Sequence, residues 1–259
     1  SWKRSTTGCM FAGNAIGETL RREYPNTSFT YEPGREQSNI LLVSQGRVQL
    51  GIAHAQLAGR ALSGGEPFKQ PVTNIRAIAV IDPLAAMQVF ARQGSDFQSF
   101  EQVRRDKKPI RVALNQRGTM MALAGEELLV AKGIPAKDIE AWGGKVHYVA
   151  YNEGLEMMKN KQVDLIVNLL AFPSGQVASA TREMTVQMVG LTPEVQGALQ
   201  KSLGMMPIEV PAKTYDFQPA AVPSATATVV LVANASMSDE DAGKIVSAML
   251  KNMDFLRQS

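Results

Sequence analysis

The chain has 259 residues and a mass of 28.0 kDa, the length of one large domain or two smaller ones. With 45% hydrophobic and 20% charged residues, it can bury a core, which excludes intrinsic disorder and a fibrous repeat. Its longest aliphatic runs, such as residues 229–233, are far shorter than the ~20 residues that span a bilayer. We therefore expect a globular protein that does not cross a membrane.

The charges of the chain are nearly balanced. Lys and Arg number 27 against 24 Asp and Glu, a net charge of +3, and the basic residues are scattered. The one dense group, residues 104–108, is typical of a solvated loop, because a nucleic-acid surface needs a longer basic stretch with interleaved aromatics. We expect no nucleic-acid partner.

Cysteine and histidine are rare. Cys9 is the single cysteine, which excludes an intrachain disulfide and any multi-cysteine zinc or iron–sulfur site. His54 and His147 are the two histidines, too few for a histidine-rich metal site. We therefore expect neither a bound metal nor a cofactor.

Helical and strand patterns alternate along the chain, which is typical of an α/β protein. Helices are predicted at residues 9–24, 36–45, 119–132, 152–160, 174–181, 192–202 and 238–256. Short apolar runs bounded by turn residues predict strands at residues 28–32, 48–53, 75–81, 87–91, 110–114, 145–150, 163–169, 185–189 and 227–232. The last helix has the clearest start, because Ser238 and Asp241 form a pair like a capping box.

The two halves of the chain share a pattern. Gly-x-Met-x-Ala begins at Gly8, opens a predicted helix, and recurs 110 positions later at Gly118. Residues 40–50 and 155–165, which are 115 positions apart, each predict a helix, a tight turn and a buried strand. Chance similarity between small α/β units is the alternative. We interpret the match as one structural plan used twice.

Each half therefore supplies a loop that leads into a helix N-terminus beside parallel strands. Open parallel sheets bind ligands at the carboxyl ends of their strands, where helix N-termini present free N–H groups and a partial positive charge. We predict two lobes, residues 1–91 with 227–259 and residues 92–226, whose loops share one ligand cleft. The chain is expected to cross between them along strands at residues 87–92 and 227–232.

The common enzyme motifs are absent from the sequence. It contains no G-x-S-x-G elbow, no G-x-G-x-x-G fingerprint, no phosphate loop and no H-E-x-x-H metal motif. The segment at residues 142–145 resembles a phosphate loop only partly, and a turn between a helix and a strand explains it better. Binding, rather than covalent catalysis, is the chemistry that the sequence favours.

The entry to the first helix carries candidate ligand contacts. Ser5, Thr6 and Thr7 offer three hydroxyls, and Gly8 adds a flexible backbone, a combination suited to hydrogen-bonding a carboxylate. Capping of the helix by Ser or Thr is the alternative. The residues alone leave both open.

The second half adds a cation to the same arrangement. Arg117 directly precedes Gly118 and Thr119, so a bidentate contact between its guanidinium and a carboxylate is feasible. A solvent-facing arginine, or one paired with a surface acid, is the alternative.

Three further candidates follow strands in the first half, and two follow a strand in the second. Arg35, His54 and Gln56 are placed to reach the cleft; a neutral histidine with satisfied hydrogen bonds is the alternative for His54. Asn168 and Phe172 occupy the corresponding place in the second half. Phe172 is predicted to wall the pocket, with ordinary packing beside a proline as the alternative.

These residues resemble those of the TAXI group of solute receptors, which serve TRAP-type transporters. Residues 7–11 stand where that family has a Gly-rich loop and a pair of aromatics. Residues 34–39, 41–42 and 49–53 are similar to its loop, helix and "DLGI" strand, and residues 163–165 to its second helix-to-strand module. Gly118-Thr119 is similar to the end of its second Gly-Ser-Gly-Thr loop. The most specific likeness is Val210-Pro211-Ala212-Lys213-Thr214-Tyr215 to its "IPAGTY" segment.

The resemblance implies a two-lobed periplasmic-binding-protein fold of type II and a small organic anion as ligand. It implies an extracytoplasmic, periplasmic protein secreted through a signal peptide that is not in this chain, and an integral-membrane TRAP permease as partner. We expect a monomer. Together, the residues and the resemblance predict these ligand contacts: Thr6, Thr7, Gly8, Met10, Phe11, Arg35, Gln37, Ser38, His54, Gln56, Arg117, Gly118, Thr119, Asn168, Phe172 and Tyr215.

The chain departs from the family pattern at several predicted contacts. Its first loop is not glycine-rich, Met10 replaces the first aromatic, Gln116 and Arg117 replace small residues, and residues 171–173 replace a proline pair. These changes alter size and charge, so a glutamate-like amino acid and a related dicarboxylate both stay open as ligands. The family also begins with a strand before its first loop, for which residues 1–4 are too short; we expect a preceding segment.

The predicted function is capture of a small organic anion by hinge closure and its delivery to a TRAP-type membrane transporter, with no bond made or broken. The alternative is an enzyme on the same fold, such as a dehydratase or deaminase of a small acid, with Glu36 or His54 as general base. A regulator's effector domain is a third hypothesis, which the absence of a DNA-binding helix-turn-helix pattern disfavours.

Overall fold

The computed structural model describes residues 9–32 and 34–258, with side chains over 12–32 and 34–256. Within that part the helices are α1 (Cys9–Glu23), α2 (Glu36–Ser44), α3 (Ala55–Ser63), α4 (Phe100–Asp106), α5 (Met120–Ala131), α6 (Ala136–Ala141), α7 (Tyr151–Lys159), α8 (Gly175–Ala180), α9 (Pro193–Leu203), α10 (Asp239–Lys251) and α11 (Met253–Gln258). The strands are β1 (Leu50–His54), β2 (Ile75–Arg92), β3 (Arg111–Leu114), β4 (Lys145–Tyr148), β5 (Leu165–Leu170), β6 (Val186–Met188), β7 (Met206–Val210) and β8 (Val222–Asn234).

The α/β class is confirmed, and so are the predicted helices, with one change to a helix and one to a pair of strands. The helix predicted at residues 238–256 is interrupted at Asn252, so that α10 and α11 are separate. The strands predicted at 75–81 and 87–91 are one strand, β2. Pro83 does not break it, because the ladder to β5 begins only at Ala86 and no β5 partner needs an N–H at position 83.

One predicted strand is wrong, and four elements are missed. Residues 28–32 form no strand, because no neighbouring strand among the described residues pairs with them. The short helices α3, α4 and α6 and the strand β7 were not predicted. Each is five to nine residues long, a length at which hydrophobic periodicity gives a weak signal.

The chain folds as two compact units. One contains the chain up to Pro83 and from Thr228 onward; the other contains Leu84–Ala227. The sequence predicts the crossings near residues 91 and 226. Strands β2 and β8 each contribute residues to both units.

In the first unit, β1 lies antiparallel to the second half of β8, with Leu50 opposite Ala233 and His54 opposite Val229. Helix α2 packs on β1, where the side-chain Nδ2 of Asn39 donates a 3.0 Å hydrogen bond to the backbone carbonyl of Ile52. The last residue of β1, His54, is also the N-cap of α3. The first unit therefore brings the carboxyl end of β1 against the start of α3.

In the second unit, β5 lies between β3, which is parallel to it, and the antiparallel β2. An ion-pair cluster closes the amino end of β5. The carboxylate of Asp164 is 2.9 Å from the guanidinium of Arg92 and 2.8 Å from that of Arg111, and Asp164 is buried. The core behind these strands contains Phe90, Leu155, Met158, Val163, Ile166, Val177 and Tyr215.

The repeat that the sequence indicates is present in the structure. Helix α2 and strand β1 begin at residues 36 and 50, and helix α7 and strand β5 begin 115 positions later, at 151 and 165. Each helix contacts its own strand. Each of these strands also pairs antiparallel with one of the two crossing strands, β1 with β8 and β5 with β2. The two units thus repeat the helix–strand module and its antiparallel partner.

Of the helices that the structure describes, none combines the length and the apolar character that a membrane span requires.

Candidate functional site

The first unit holds a buried acid–histidine pair at the carboxyl end of β1. Glu36 is the first residue of α2, and its Oε1 lies 2.8 Å from Nδ1 of His54. The two residues are only 3% and 2% exposed. Because a carboxylate oxygen accepts here, Nδ1 carries the proton and Glu36 fixes the orientation of the imidazole ring.

The second ring nitrogen of His54, Nε2, differs from Nδ1 in its contacts. Nε2 is buried and has no hydrogen-bond partner among the described residues. A buried polar atom without a hydrogen-bond partner destabilises a protein by about 1–3 kcal/mol. Such atoms are therefore rare unless a bound water, ion or ligand supplies the missing hydrogen bond. Nε2 is therefore the strongest candidate in the first unit for a ligand contact, and it is one that the sequence predicts.

The other predicted residues of the first unit fall into two groups. The side chains of Gln37 and Gln56 bond to backbone groups. The Nε2 of Gln37 donates to the carbonyl of Pro67 at 3.0 Å, and the Oε1 of Gln56 accepts from the backbone amide of Thr228 at 3.2 Å. Arg35, the N-cap of α2, and Ser38 are exposed. Arg35 therefore places a solvated cation at the same helix N-terminus that carries Glu36.

In the second unit, the turn after β3 leads into the N-terminus of α5. Gly118 has φ +82°, a left-handed conformation that favours glycine. Thr119 is the N-cap of α5; its hydroxyl accepts from the Ala122 amide at 3.1 Å and donates to the Gln116 carbonyl at 2.7 Å. The side chain of Thr119 therefore caps α5, a role that the sequence analysis does not assign to it.

Asn168 and Asn115 connect the ends of two neighbouring strands. The Nδ2 of Asn115, directly after β3, donates to Oδ1 of Asn168 in β5 at 3.2 Å. The same oxygen accepts from the Leu169 amide at 3.0 Å. Asn168 is 2% exposed, and its Oδ1 accepts both of these hydrogen bonds near the carboxyl end of the sheet.

Arg117 lies on the surface beside Tyr148 and Glu126. Its guanidinium carbon is 3.6 Å from the centroid of the Tyr148 ring, and its Nη1 is 3.3 Å from Oε1 of Glu126. Its side chain is 67% exposed. The Tyr148 hydroxyl donates to the same carboxylate oxygen at 2.5 Å, and burial, together with this bond, raises the pKa of Tyr148. Arg117 is thus a stacked, solvated cation two residues before the cap of α5.

Phe172 and Tyr215 belong to one neighbourhood of the second unit. Phe172 is half-buried in the loop between β5 and α8. Tyr215 is 4% exposed, and its hydroxyl contacts two groups: it donates to Oε1 of Gln88 at 2.6 Å and accepts from the Ser174 amide at 3.0 Å. The hydroxyl of Tyr215 is therefore occupied by the protein itself.

Five predicted contacts lie outside these observations. Thr6, Thr7 and Gly8 are outside the described residues, and the side chains of Met10 and Phe11 are outside the described side chains. They stay predictions.

Asn115, Gln88 and Ser174 bond to the predicted contacts Asn168 and Tyr215, and the sequence does not predict any of these three as a contact. A signal exists for Gln88, which is the one polar residue between Met87 and Phe90 in an apolar strand. Ser174 follows a proline at a helix start, the usual place for a cap, and its hydroxyl does accept from the Val177 amide at 3.4 Å. Asn115 gives no distinctive sequence signal.

Metal ligands are not clustered in the part of the chain that the structure describes. No group of three or more His, Cys, Asp or Glu side chains there could hold a metal ion.

The family of the chain follows from a comparison with family models. The model described as NMT1-like matches residues 4–259. The chain belongs to the NMT1-like family. Among curated proteins, no sequence matches it significantly.

Solved structures of periplasmic binding proteins share the fold of this NMT1-like chain. MatC from Rhodopseudomonas palustris, solved with bound malate, is 15% identical, with a TM-score of 0.61 over 98% of this chain and 84% of that one. The periplasmic binding protein BugD is 16% identical, with a TM-score of 0.59 over 95% and 81%. A TctC solute-binding protein from Polaromonas is 14% identical, with a TM-score of 0.54 over 95% and 81%. The predicted fold, that of a periplasmic binding protein of type II, is confirmed.

Proposed function

We propose that this NMT1-like protein is an extracytoplasmic solute-binding receptor that captures a small organic anion, a glutamate-like amino acid or a dicarboxylate. In this proposal it acts as a monomer in the periplasm and hands the solute to an integral-membrane TRAP-type permease. The resemblance of residues 210–215 to the "IPAGTY" segment of TAXI receptors supports the TRAP assignment.

The comparisons support a binding role. MatC was solved with malate bound, and BugD and TctC are described as binding proteins. All three have the fold of this chain, and malate is a hydroxylated dicarboxylate of the size that the proposal requires. Fold alone does not fix function, so the chemistry of the two units has to support the ligand class.

The observation that carries the proposal is the buried, unpartnered Nε2 of His54. It belongs to the last residue of β1, and ligands of open α/β sheets bind beyond the carboxyl ends of the strands. Because Glu36 holds Nδ1, Nε2 can accept from a hydroxyl or ammonium group when the ring is neutral, and donate to a carboxylate when it is protonated. Hydroxy acids and amino acids carry both kinds of group.

The second unit supplies complementary groups for an anion. The N-terminus of the twelve-residue helix α5 has a partial positive charge, and the Gly118 turn allows backbone N–H groups to approach a ligand closely. Arg117, two residues before the cap of α5, adds a full positive charge. We propose that the bound ligand stabilises the conformation that the permease recognises.

A thermal-shift series tests this proposal. The probes are malate, succinate, glutamate, glutamine, an aromatic acid, glucose and Zn²⁺. An organic anion at one hundred times its dissociation constant should stabilise the protein by about 2.7 kcal/mol. Glucose and Zn²⁺ should have no effect; stabilisation by either of them and by none of the acids would overturn the proposal.

A His54→Gln variant sharpens the series. Stabilisation by the successful acid should fall in this variant, because the ligand loses its contact with Nε2. His147→Gln is the matched control, since it removes the other histidine of the chain and should bind as the wild type does.

The enzyme alternative retains a specific observation in its favour. Glu36 and His54, the two residues it names as general base, form the 2.8 Å hydrogen bond of an oriented base. Incubation of the protein with each stabilising acid, followed by NMR of the acid, separates the two functions. We expect the acid to be recovered unchanged. Conversion of at least one molecule of acid per molecule of protein, absent in His54→Gln, would show instead that the protein is an enzyme.

A further inference from the structure

Two buried side chains hold the loop that follows β5. This loop, residues 171–174, contains Phe172. The Nε2 of Gln88 donates to the carbonyls of Leu170 at 3.2 Å and Ala171 at 3.3 Å. The Tyr215 hydroxyl accepts from the Ser174 amide at 3.0 Å. Gln88 and Tyr215 therefore fix backbone groups on both sides of the Phe172–Pro173 tip.

The two side chains are also bonded to each other. The Tyr215 hydroxyl donates to Oε1 of Gln88 at 2.6 Å, so a continuous series of hydrogen bonds runs from the Ser174 amide through Tyr215 and Gln88 to the carbonyls of Leu170 and Ala171. Gln88 is fully buried and Tyr215 is 4% exposed. Loss of one member leaves its neighbours buried without partners, which makes such a series cooperative.

The surrounding aromatic rings fix the position of the hydroxyl. The Tyr215 ring is stacked on Phe217, with centroids 5.4 Å apart and planes 4° apart, and it meets the ring of Phe90 edge-on at 6.2 Å. Burial raises the pKa of Tyr215 to about 12. The phenol therefore stays a neutral donor throughout the physiological pH range, and its oxygen has a defined place in the core.

The loop itself has few means of holding its shape. Pro173 has no N–H to donate, and the first capped amide of α8 is that of Val177, which bonds to the Ser174 hydroxyl. The carbonyls of Leu170 and Ala171 and the amide of Ser174 are backbone groups, on either side of Phe172, by which the core can position it. All three are taken by Gln88 and Tyr215.

We propose that Gln88 and Tyr215 are positioning residues that set the place of Phe172 in the wall of the ligand site, and that Tyr215 does not itself touch the ligand. This inference rests on the proposed function, which makes Phe172 part of that wall. It changes the role that the resemblance implies for Tyr215 from a direct contact to an indirect one.

The test uses Tyr215→Phe, which removes the hydroxyl and keeps the ring. Hydrogen exchange of the Ser174 amide should become about tenfold faster, because this amide loses its hydrogen bond to the Tyr215 hydroxyl. The affinity for the acid found by thermal shift should fall severalfold. Tyr151→Phe is the matched control: its hydroxyl is buried in the same unit and has no partner among the described residues, so both readouts should stay at the wild-type value.

A second variant separates the two proposals. Phe172→Ala should weaken binding and leave the exchange of the Ser174 amide unchanged. If Tyr215→Phe speeds this exchange and no organic anion binds the wild type, the proposed function is wrong. The conclusion that Tyr215 positions the loop is then still supported. If the exchange is unchanged in Tyr215→Phe, the positioning role is wrong.

The wild type gives an independent check that does not require the variant to fold. Its Ser174 amide should exchange far more slowly than the amide of Gln116, which bonds to the adjacent side chain of Asn115. Equal rates at the two amides would overturn the inference.

Discussion

The Nδ1 of His54 and the Oε1 of Glu36 join the last residue of β1 to the first residue of α2 across 2.8 Å, out of contact with solvent. The pair thereby couples the packing of α2 on β1 to the orientation of the imidazole ring. A hydrogen-bond acceptor at position 36 is therefore needed to orient the ring.

Replacement of Glu36 by Leu should destabilise the protein by about 1–3 kcal/mol, because both nitrogens of a buried imidazole are then left without partners. Glu36→Gln should lose less, since its amide oxygen can still accept from Nδ1. Urea denaturation with a constant m-value measures both. Equal losses in the two variants would show that charge, rather than the hydrogen bond, stabilises this position.

The free energy of unfolding should fall at low pH because the carboxylate of Asp164 becomes protonated. Burial tends to raise the pKa of this carboxyl, but hydrogen bonds from the Arg111 side chain and backbone outweigh that effect, with a further contribution from Arg92, so its pKa lies below the ordinary value of 3.8. A lowered folded-state pKa contributes stability above the unfolded value and loses it as the pH falls through the folded value. Urea denaturation from pH 7 to about 2 should show this decline.

Asp164→Asn is the matched variant for this pH dependence. It should be less stable than the wild type by about 1.5–3 kcal/mol at pH 7, where a charged hydrogen-bond partner is lost. The difference should shrink as the pH falls below about 4, because the carboxyl then takes up a proton in the unfolded wild type and, at still lower pH, in the folded protein too. A difference that is the same at pH 7 and pH 2.5 would contradict the role given to the charge of Asp164.

Arg117→Ala should weaken binding of an organic anion by about 1.5–3 kcal/mol in calorimetry, the worth of a charged hydrogen bond. Arg35→Ala, which removes the solvated cation at the start of α2, is the comparison. If Arg35→Ala abolishes binding and Arg117→Ala does not, the first unit holds the charge of the ligand. Arg117 would then only stack on Tyr148 and pair with Glu126, without contacting the ligand.

The cap of α5 offers a prediction with a conservative rescue. Thr119→Ala should destabilise the protein by about 1 kcal/mol, because the Ala122 amide loses its acceptor. Thr119→Ser should restore most of this stability, since it keeps the hydroxyl. Thermal denaturation compares the three proteins. An unstable Thr119→Ser protein would assign the effect to the methyl group and its packing.

The sequence predicts the repeated helix–strand modules well because their signals are local. A helix, a tight turn and a buried strand follow one another within about 20 residues in each half, and burial of one apolar face gives each element its periodicity. The segment at residues 28–32 shows the limit of this reasoning. It has a strand-like composition, and a strand also needs a partner, which lies elsewhere in the chain.

The candidate site is less predictable because its contacts join distant residues. Gln88 and Tyr215 are 127 positions apart, and nothing near Tyr215 in sequence indicates that its hydroxyl is used inside the core. His54 is the opposite case, because its place at the end of an apolar run indicates a strand end. What the sequence does not indicate is that Nδ1 is bonded to Glu36 while Nε2 has no partner in the described part of the chain.

The division of the chain between the two units determines the order in which they can be completed on the ribosome. The second unit is one continuous segment, Leu84–Ala227, so all of its strands have been synthesised before the last part of the first unit exists. Strand β1 waits for residues 229–233 of β8, its antiparallel partner. A chain that stops after Ala227 therefore leaves the backbone of β1 without this ladder, and an unpaired strand edge invites association with other chains.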